Sequence, residues 1–404
     1  MDEWREIKLG KIIKSNIQSI DKSYPHKTIQ YLDTGSITCG KIDTFQELLL
    51  NDAPSRAKRL VRHNDIVYST VRPIQRHYGY ITNPPHNLVV STGFSVIETK
   101  TNLAEPLFVY YFLTSMDTVE YLDVIADGST SAYPSLKPID IEQLDIPFPP
   151  LKEQKAIASV LSSLDDKIDL LHNQNKTLEA MAETLFRQWF VEEADKDWEE
   201  GCLGDFINVK HGYAFKGKFI STEKNDQVLI TPGNFKIGGG FKFGKMKYFN
   251  GEDYPKDYVF SPNDLILTMT DLSKEGDTLG YSALVPEHNQ KEILFLHNQR
   301  VGRVEIKNNI SKYFLYFLMK TDDYQWFILG GASGTSVLHT SPTKICSYPF
   351  QVPPMSIIES FDNIVDKLIS KTHENQKQIQ TLEKLRDTLL PKLMSGEVRV
   401  EYDN

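Results

Sequence analysis

The chain of 404 residues repeats itself, and this repeat constrains its fold more than any other feature. Short matches recur in the same order about 200 residues apart. They pair Trp4 with Trp198, Gly40 with Gly238, Asn64–Ile66 with Asn263–Leu265, Tyr111–Leu113 with Tyr316–Leu318, Gly128–Thr130 with Gly334–Ser336, and Pro149–Pro150 with Pro353–Pro354. One such match could arise by chance, but a set in register indicates two copies of one structural unit.

Each copy has the same internal order. Short strand-like runs broken by Gly, Pro, Asn and Asp come first, a Pro-Pro pair ends them, and a long glycine-free helix follows. The sequence therefore predicts an α+β protein with two pseudo-repeated mixed α/β domains separated by two long helices. The predicted segments are 1–148 (first mixed α/β domain), 149–195 (central helix region), 196–351 (second mixed α/β domain) and 352–404 (C-terminal helix region).

Both helices carry mainly apolar side chains at alternating spacings of three and four residues. The positions are Ile157, Leu161, Leu164, Ile168, Leu171, Asn175, Leu178, Ala182, Leu185 and Trp189, and then Phe361, Val365, Leu368, Thr372, Asn375, Ile379, Leu382, Arg386, Leu389 and Leu393. This spacing over four heptads is typical of a coiled coil. The alternative is a pair of amphipathic helices, each packed on its own globule.

Each predicted seam contains one asparagine, and the two lie at different heptads. Under the 204-residue offset of the helices, Asn375 corresponds to Leu171 rather than to Asn175. In an antiparallel pair related by a pseudo-two-fold axis, Asn175 and Asn375 would face each other midway along the seam and fix its register. We therefore expect an antiparallel coiled coil.

Two domains on such a coil suit the reading of two separated half-sites on duplex DNA, whose local symmetry is also two-fold. The formal net charge of −9 argues against a chain that is basic throughout. Three scattered cysteines predict neither a disulfide framework nor a zinc cage, and no apolar run predicts a membrane span or a secretory signal. We expect a cytoplasmic protein without a metal site.

Local basic stretches stand out against this acidic total. Six basic residues accompany one acidic residue between Arg56 and Arg76, and lysines alternate with aromatic residues and glycines in the second copy. The candidate DNA-binding residues are Arg56, Lys58, Arg59, Arg62, Arg72, Arg76, Lys210, Lys216, Lys218, Lys236, Lys242, Lys245 and Lys247, with the small polar loop residues Ser129, Thr130, Thr335 and Ser336. The alternatives are a solvated Lys/Arg surface and simple turns.

Enzyme motifs fail on their chemistry. The segment Gly239–Lys245 resembles a phosphate-binding loop, but Met246 cannot supply the hydroxyl that Mg²⁺ needs. Asn83–His86 resembles the motif of amino-methyltransferases, but no glycine-rich methyl-donor motif accompanies it. No catalytic residue is predicted.

Several segments resemble the specificity subunits of type I restriction–modification systems. Leu151–Ile157 with Leu164–Ile168 is similar to the central conserved region of that family, and Thr381–Val398 is similar to its distal conserved region. Asn64–Ser69 with Arg72–Pro73 resembles a strand of its target recognition domains. The second copy departs from the pattern, because Ile357–Ile358 stands where the first has Glu153–Gln154.

The resemblance implies a non-catalytic subunit that recognises a bipartite, asymmetric target in double-stranded DNA, with helices that set the spacer length. It implies two methyltransferase subunits as partners, together with restriction/translocase subunits. It also implies that S-adenosylmethionine is bound by the methyltransferase partner and not by this chain. The alternatives are a stand-alone DNA adenine methyltransferase and a solitary sequence-specific DNA-binding repressor.

Overall fold

Each Pro-Pro pair is followed directly by a long helix. In the computed structural model these helices span Leu151–Arg187 and Met355–Ser395, and one π-helical turn, Gln188–Glu192, extends the first. Proline disfavours helix at the residue before it, so the pair separates strand from helix. All twenty predicted seam positions are buried or half-buried, as a packed helix face requires.

The structure describes residues 4–128, 134–244, 246–271, 273, 276–288, 291–334 and 337–401. Met1–Leu170 with Ile379–Asn404 form one compact unit, and Leu171–Gln378 form another. We call them the first and second units, and the globule of each its head. Each unit also contains a segment of both long helices. The predicted boundaries at 148, 195 and 351 stay predictions.

Two four-stranded sheets build the first head. The first sheet is mixed and runs Gln46–Leu49, Thr28–Leu32, Leu88–Ser91 and Ala57–Leu60, and only the two central strands pair in parallel. The second sheet is antiparallel and runs Ile13–Ser15, Phe94–Thr99, Ile66–Ser69 and Tyr78–Tyr80. Arg5–Lys8 pairs with Asp145–Phe148, Ile37–Thr38 with Lys41–Ile42, and the helices are Pro106–Thr114, Met116–Asp127 and Pro138–Glu142.

The second head also has a mixed and an antiparallel four-stranded sheet, but its parallel pair lies at the edge of the mixed sheet rather than at the centre. Its mixed sheet runs Ile220–Ser221, Lys247–Phe249, Gln227–Ile230 and Leu294–His297, with the last two strands parallel. Its antiparallel sheet runs Ile207–His211, Val301–Ile306, Leu265–Thr268 and Ser282–Leu284. Glu199–Cys202 pairs with Pro349–Val352, Thr270–Asp271 with Leu338–His339, and the helices are Leu203–Phe206, Lys312–Leu318, Asp322–Gly330 and Pro342–Cys346.

The two long helices pair in antiparallel fashion within each unit, as predicted. In the first unit, Ile157 near the start of one helix shares a core with Leu393 near the end of the other. In the second unit, Phe186 near the end of the first helix packs against Phe361, with ring centroids 5.9 Å apart. Asn375 is buried, and its Nδ2 donates a hydrogen bond to Asn175 Oδ1 at 2.8 Å.

The structure corrects two of the sequence matches. Glu105 and Ser311 cap the equivalent helices Pro106–Thr114 and Lys312–Leu318, so Tyr316 corresponds to Tyr110 and not to Tyr111. Likewise the backbone carbonyl of Tyr78 accepts a hydrogen bond from Gly40 N–H, and that of Ser282 accepts one from Gly240 N–H. Because Tyr78 and Ser282 occupy the same position of the edge strand, Gly240 and not Gly238 is the counterpart of Gly40. Both errors arose because runs of similar residues, aromatic or glycine, align equally well one or two residues out of register.

Candidate nucleic-acid interface

Backbone hydrogen bonds bring distant basic residues of the first head to one edge. Thr92 N–H donates to Arg56 O and Thr70 N–H donates to Gly93 O, both at 2.8 Å. Two residues after Thr70 comes Arg72, whose N–H donates to Pro134 O at 3.4 Å. We call this edge, with Arg56, Arg72 and Arg76, the basic edge of the first head.

Arg72 and Arg76 flank a single 3₁₀ turn, Pro73–Gln75, and both are exposed. Both have left-handed backbone conformations, with φ of 47° and 56°, which cost a non-glycine residue roughly 1 kcal/mol each. The turn is nevertheless fixed, because Pro73 is buried and Ile74 N–H donates to Asp123 Oδ1 at 3.0 Å. The two guanidinium groups therefore start from a rigid base.

The equivalent edge of the second head carries different residues. Met269 N–H donates to Arg300 O at 3.0 Å, as Thr70 N–H does to Gly93 O in the first head. Asp271 stands in the place of Arg72, and its buried carboxylate accepts hydrogen bonds from Ser273 N–H and Thr278 Oγ1. Burial alone would raise the pKa of Asp271, but these hydrogen bonds hold it below its usual value.

Arg300 is an exposed basic residue that sequence reasoning missed. Its N–H donates to Asn298 Oδ1 at 3.0 Å, which fixes a turn between strands Leu294–His297 and Val301–Ile306. A single arginine outside any basic stretch gives no signal by charge alone. Arg300 occupies the position in the second copy of the repeat that Gly93 occupies in the first, and only this equivalence could have identified it.

Five of the predicted lysines in the second head lie exposed, and two of the described candidate lysines have acidic partners. The exposed lysines are Lys216, Lys218, Lys236, Lys242 and Lys247. Lys210 lies 4.0 Å from Asp257 and over the ring of Tyr258, and Lys236 lies 3.8 Å from Glu179 Oε2. Part of the charge of Lys210 and Lys236 is thus neutralised within the unit.

The first head likewise divides its basic residues. Lys58 is exposed, whereas Arg62 forms an ion pair with Glu98 at 3.4 Å. Arg59 is half-buried and donates to Asn16 Oδ1 and to the carbonyl of Phe94, and burial lowers its pKa. Arg59 therefore joins strands inside the head. Of the other candidates, Ser129, Thr130, Lys245, Thr335 and Ser336 lie outside the described residues.

Carboxylates of the long helices attach each head by a different set of bonds. In the first unit, Asp165 accepts from Tyr111 OH at 2.8 Å and from Arg386 at 2.9 Å. In the second unit, Glu179 accepts from Tyr316 OH at 3.0 Å and from the buried Lys320 at 3.1 Å. Each attachment therefore joins a tyrosine and a cation through one carboxylate.

The residues Glu153 and Gln154 have structural roles in the first unit. Gln154 Oε1 accepts from Glu105 N–H at 3.0 Å, at the start of helix Pro106–Thr114. Glu153 is fully buried and accepts from Arg399 and from Trp4 Nε1, the latter at 3.2 Å. This ion pair fixes the segment after the second long helix against the start of the first.

The segment that resembles a phosphate-binding loop has a different structure from such a loop. The segment Gly239–Gly244 leads to the strand Lys247–Phe249, whereas a phosphate-binding loop leads into a helix. Asn83 lies in a turn with φ of 45°. Within the described part of the chain, no group of three or more His, Cys, Asp or Glu residues is placed to hold a metal ion. No described helix is long and apolar enough to cross a membrane.

The family model for the type I restriction modification DNA specificity domain matches this chain twice, at residues 1–180 and 195–384. The chain belongs to this family of specificity subunits. The HindI specificity subunit of Haemophilus influenzae is 26% identical, and the alignment covers 98% of this chain and 100% of that protein. The MjaIX specificity subunit of Methanocaldococcus jannaschii is 29% identical over 80% of this chain and 76% of that protein.

A solved structure shares the fold of this specificity-family chain. The crystal structure of the S subunit of a type I restriction–modification system from M. genitalium matches with a TM-score of 0.55 and 19% identity. The match covers 97% of this chain and 96% of that one. The two matched segments of the family model correspond to the two copies of the internal repeat.

Proposed function

We propose that this chain is the DNA sequence-recognition and scaffold subunit of a type I restriction–modification system, in which each head reads one half of a bipartite target. The family match at both copies carries this proposal. The two edges support it, because the first presents Arg72 where the second has the buried Asp271. Heads that differ at equivalent positions read different half-sites, so the target is asymmetric.

The proposal gives the chain two kinds of protein partner. Two methyltransferase subunits contact the long helices and the flanks of the heads, and restriction/translocase subunits complete the enzyme. The chain itself is non-catalytic and acts in the cytoplasm. S-adenosylmethionine is bound by the methyltransferase subunit, which supplies the methyl group.

Co-expression with the methyltransferase partner, followed by mapping of methylated bases in the host DNA, tests this function. We expect methylation at one two-part motif with a spacer of constant length. Exchange of residues 1–148 for the equivalent segment of another family member should change one half of the motif only. A change in both halves would contradict the model of one head for each half-site.

The two alternative functions predict different results. A stand-alone methyltransferase would transfer a labelled methyl group from S-adenosylmethionine to DNA without a partner. A solitary repressor would bind a specific duplex tightly and would not copurify with a methyltransferase subunit. The isolated chain and the co-expressed complex, assayed side by side, separate all three functions.

A further inference from the structure

The turn at Arg72 combines three features that ordinary surface turns do not need together. Arg72 has a left-handed backbone conformation, which is unfavourable for a non-glycine residue, and its side chain is exposed. The turn Pro73–Gln75 that follows it is held by several hydrogen bonds. The fixing bonds include Cys39 N–H to Arg76 O at 2.8 Å and Gln75 N–H to Arg72 O at 2.9 Å. Glycine would adopt this backbone with less strain, so the backbone conformation alone gives no reason for an arginine at this position.

A rigid base matters for reading bases more than for binding phosphates. A phosphate attracts any nearby positive charge, and a flexible lysine suffices for it. A base edge requires a guanidinium group with two donors held in a defined orientation, as in the bidentate contact with guanine. The buried Pro73 and the bond from Ile74 N–H to Asp123 fix the backbone from which the Arg72 side chain extends.

The comparison between heads shows that this arginine belongs to one half-site. Asp271 stands in the equivalent position of the second head and is buried with its carboxylate hydrogen-bonded. The second head instead exposes Arg300, where the first head has Gly93. Each head thus has an exposed arginine at the equivalent edge of its own sheet. Arg72 follows the strand Ile66–Ser69, whereas Arg300 precedes the strand Val301–Ile306.

We propose that Arg72 is a specificity-determining residue, whose guanidinium group reads a base in the half-site bound by the first head. The inference rests on the proposed function and deepens it. It assigns to one side chain the discrimination that the first head provides. Arg56 and Arg76, on the same edge, contribute positive charge beside it.

The test uses the full chain copurified with its methyltransferase subunit and labelled duplexes that carry the mapped target. One duplex is intact, one has the first head's half scrambled, and one has the other half scrambled. Arg72→Ala should weaken binding to the intact duplex by about 10- to 100-fold and reduce the penalty for scrambling the first half by a similar factor. The penalty for scrambling the second half should not change.

Three further variants separate base reading from charge and from folding. Arg72→Gly should match Arg72→Ala in binding while its melting temperature does not fall, because glycine relieves the left-handed strain. Arg72→Lys keeps the charge but should not restore discrimination of the first half. The matched control is Asn83→Gly, an exposed left-handed residue with φ of 45° beyond the other end of strand Ile66–Ser69, and it should bind like the wild type.

Two outcomes would overturn the inference. One is an unchanged penalty for scrambling the first half in Arg72→Ala, or its full recovery in Arg72→Lys. The other is a lower melting temperature of Arg72→Gly with equal weakening of both halves, which would assign Arg72 to folding. A wild-type complex that methylates no two-part motif would instead reject the proposed function itself.

Discussion

The two units fulfil one structural requirement with different bonds. In the first, Asp165 joins a tyrosine of the head to Arg386, which lies on the second long helix. In the second, Glu179 joins a tyrosine to Lys320, which follows the helix Lys312–Leu318 of the head itself. The two attachments therefore make the same kind of contact with residues that are not equivalent in the repeat, because Tyr111 and Tyr316 occupy different positions of their helices.

The ion pair between the buried Glu153 and the exposed Arg399 has no ionic counterpart at the position equivalent to Glu153 in the second unit, where Ile357 stands. Arg399→Ala removes the positive charge beside the buried Glu153 carboxylate, to which Trp4 Nε1 still donates a hydrogen bond. Because a buried charge without its ionic partner is costly, the variant should destabilise the first unit by about 3 kcal/mol. Hydrogen exchange followed by mass spectrometry measures the stability of each unit separately. The double variant Glu153→Gln with Arg399→Ala should recover part of the loss. Equal destabilisation of both units would contradict the assignment.

Acid should affect the second unit through His297, whose counterpart in the first head is the apolar Val90. Burial lowers the pKa of His297 to about 4. The unfolded chain takes up this proton near pH 6.5 and the folded chain does not, so stability is lost as pH falls from 6.5 towards 4, by at most about 3 kcal/mol. Tryptophan fluorescence during urea unfolding reports mainly this unit, which holds Trp189, Trp198 and Trp326. His297→Gln should remove this loss, whereas the exposed control His211→Gln should keep it.

The asparagine pair tests whether register depends on a polar contact. Asn375→Leu leaves Asn175 without this partner and should destabilise the second unit by about 1–2 kcal/mol. The double variant with Asn175→Leu should regain that stability through apolar packing while register becomes less defined. Disulfide crosslinking between cysteines placed on the two helices reads the register. Unchanged stability of the single variant would show that the pair is dispensable.

Substitution of Asp65 should change stability least among these predictions. The pH dependence of stability that Asp65 causes is opposite in sign to that of His297. Burial raises the pKa of Asp65 to about 6, so the folded first unit binds a proton that the unfolded chain has released. Stability is therefore lost as pH rises from about 4 through 6. Asp65→Asn should stabilise the first unit by about 1 kcal/mol at pH 7, since an amide oxygen still accepts the N–H of Arg62. A greater gain at pH 4 than at pH 7 would reverse the predicted sign.

The helices were predictable because their signal is local. Seven-residue periodicity placed the seam, and the offset between Asn175 and Asn375 indicated which partners meet. The basic edge was not predictable as a whole, because strand pairings between distant segments bring Arg56, Arg72 and Pro134 together. Charge counting therefore found Arg72 but could not separate it from Arg59, which the fold turns inward. Arg300 gave no signal until the structure had aligned it with Gly93.

The division of the chain into its two units also determines when each can be completed during synthesis. The second unit is a continuous stretch, Leu171–Gln378, whereas the first also needs Ile379–Asn404. At roughly 5–20 residues per second, the ribosome delivers these last residues after the whole second unit has been translated. The first head is therefore translated early, but the first unit is complete only after the segment that carries Arg386 and Arg399 has been translated. The domain translated second is the one that can finish folding first.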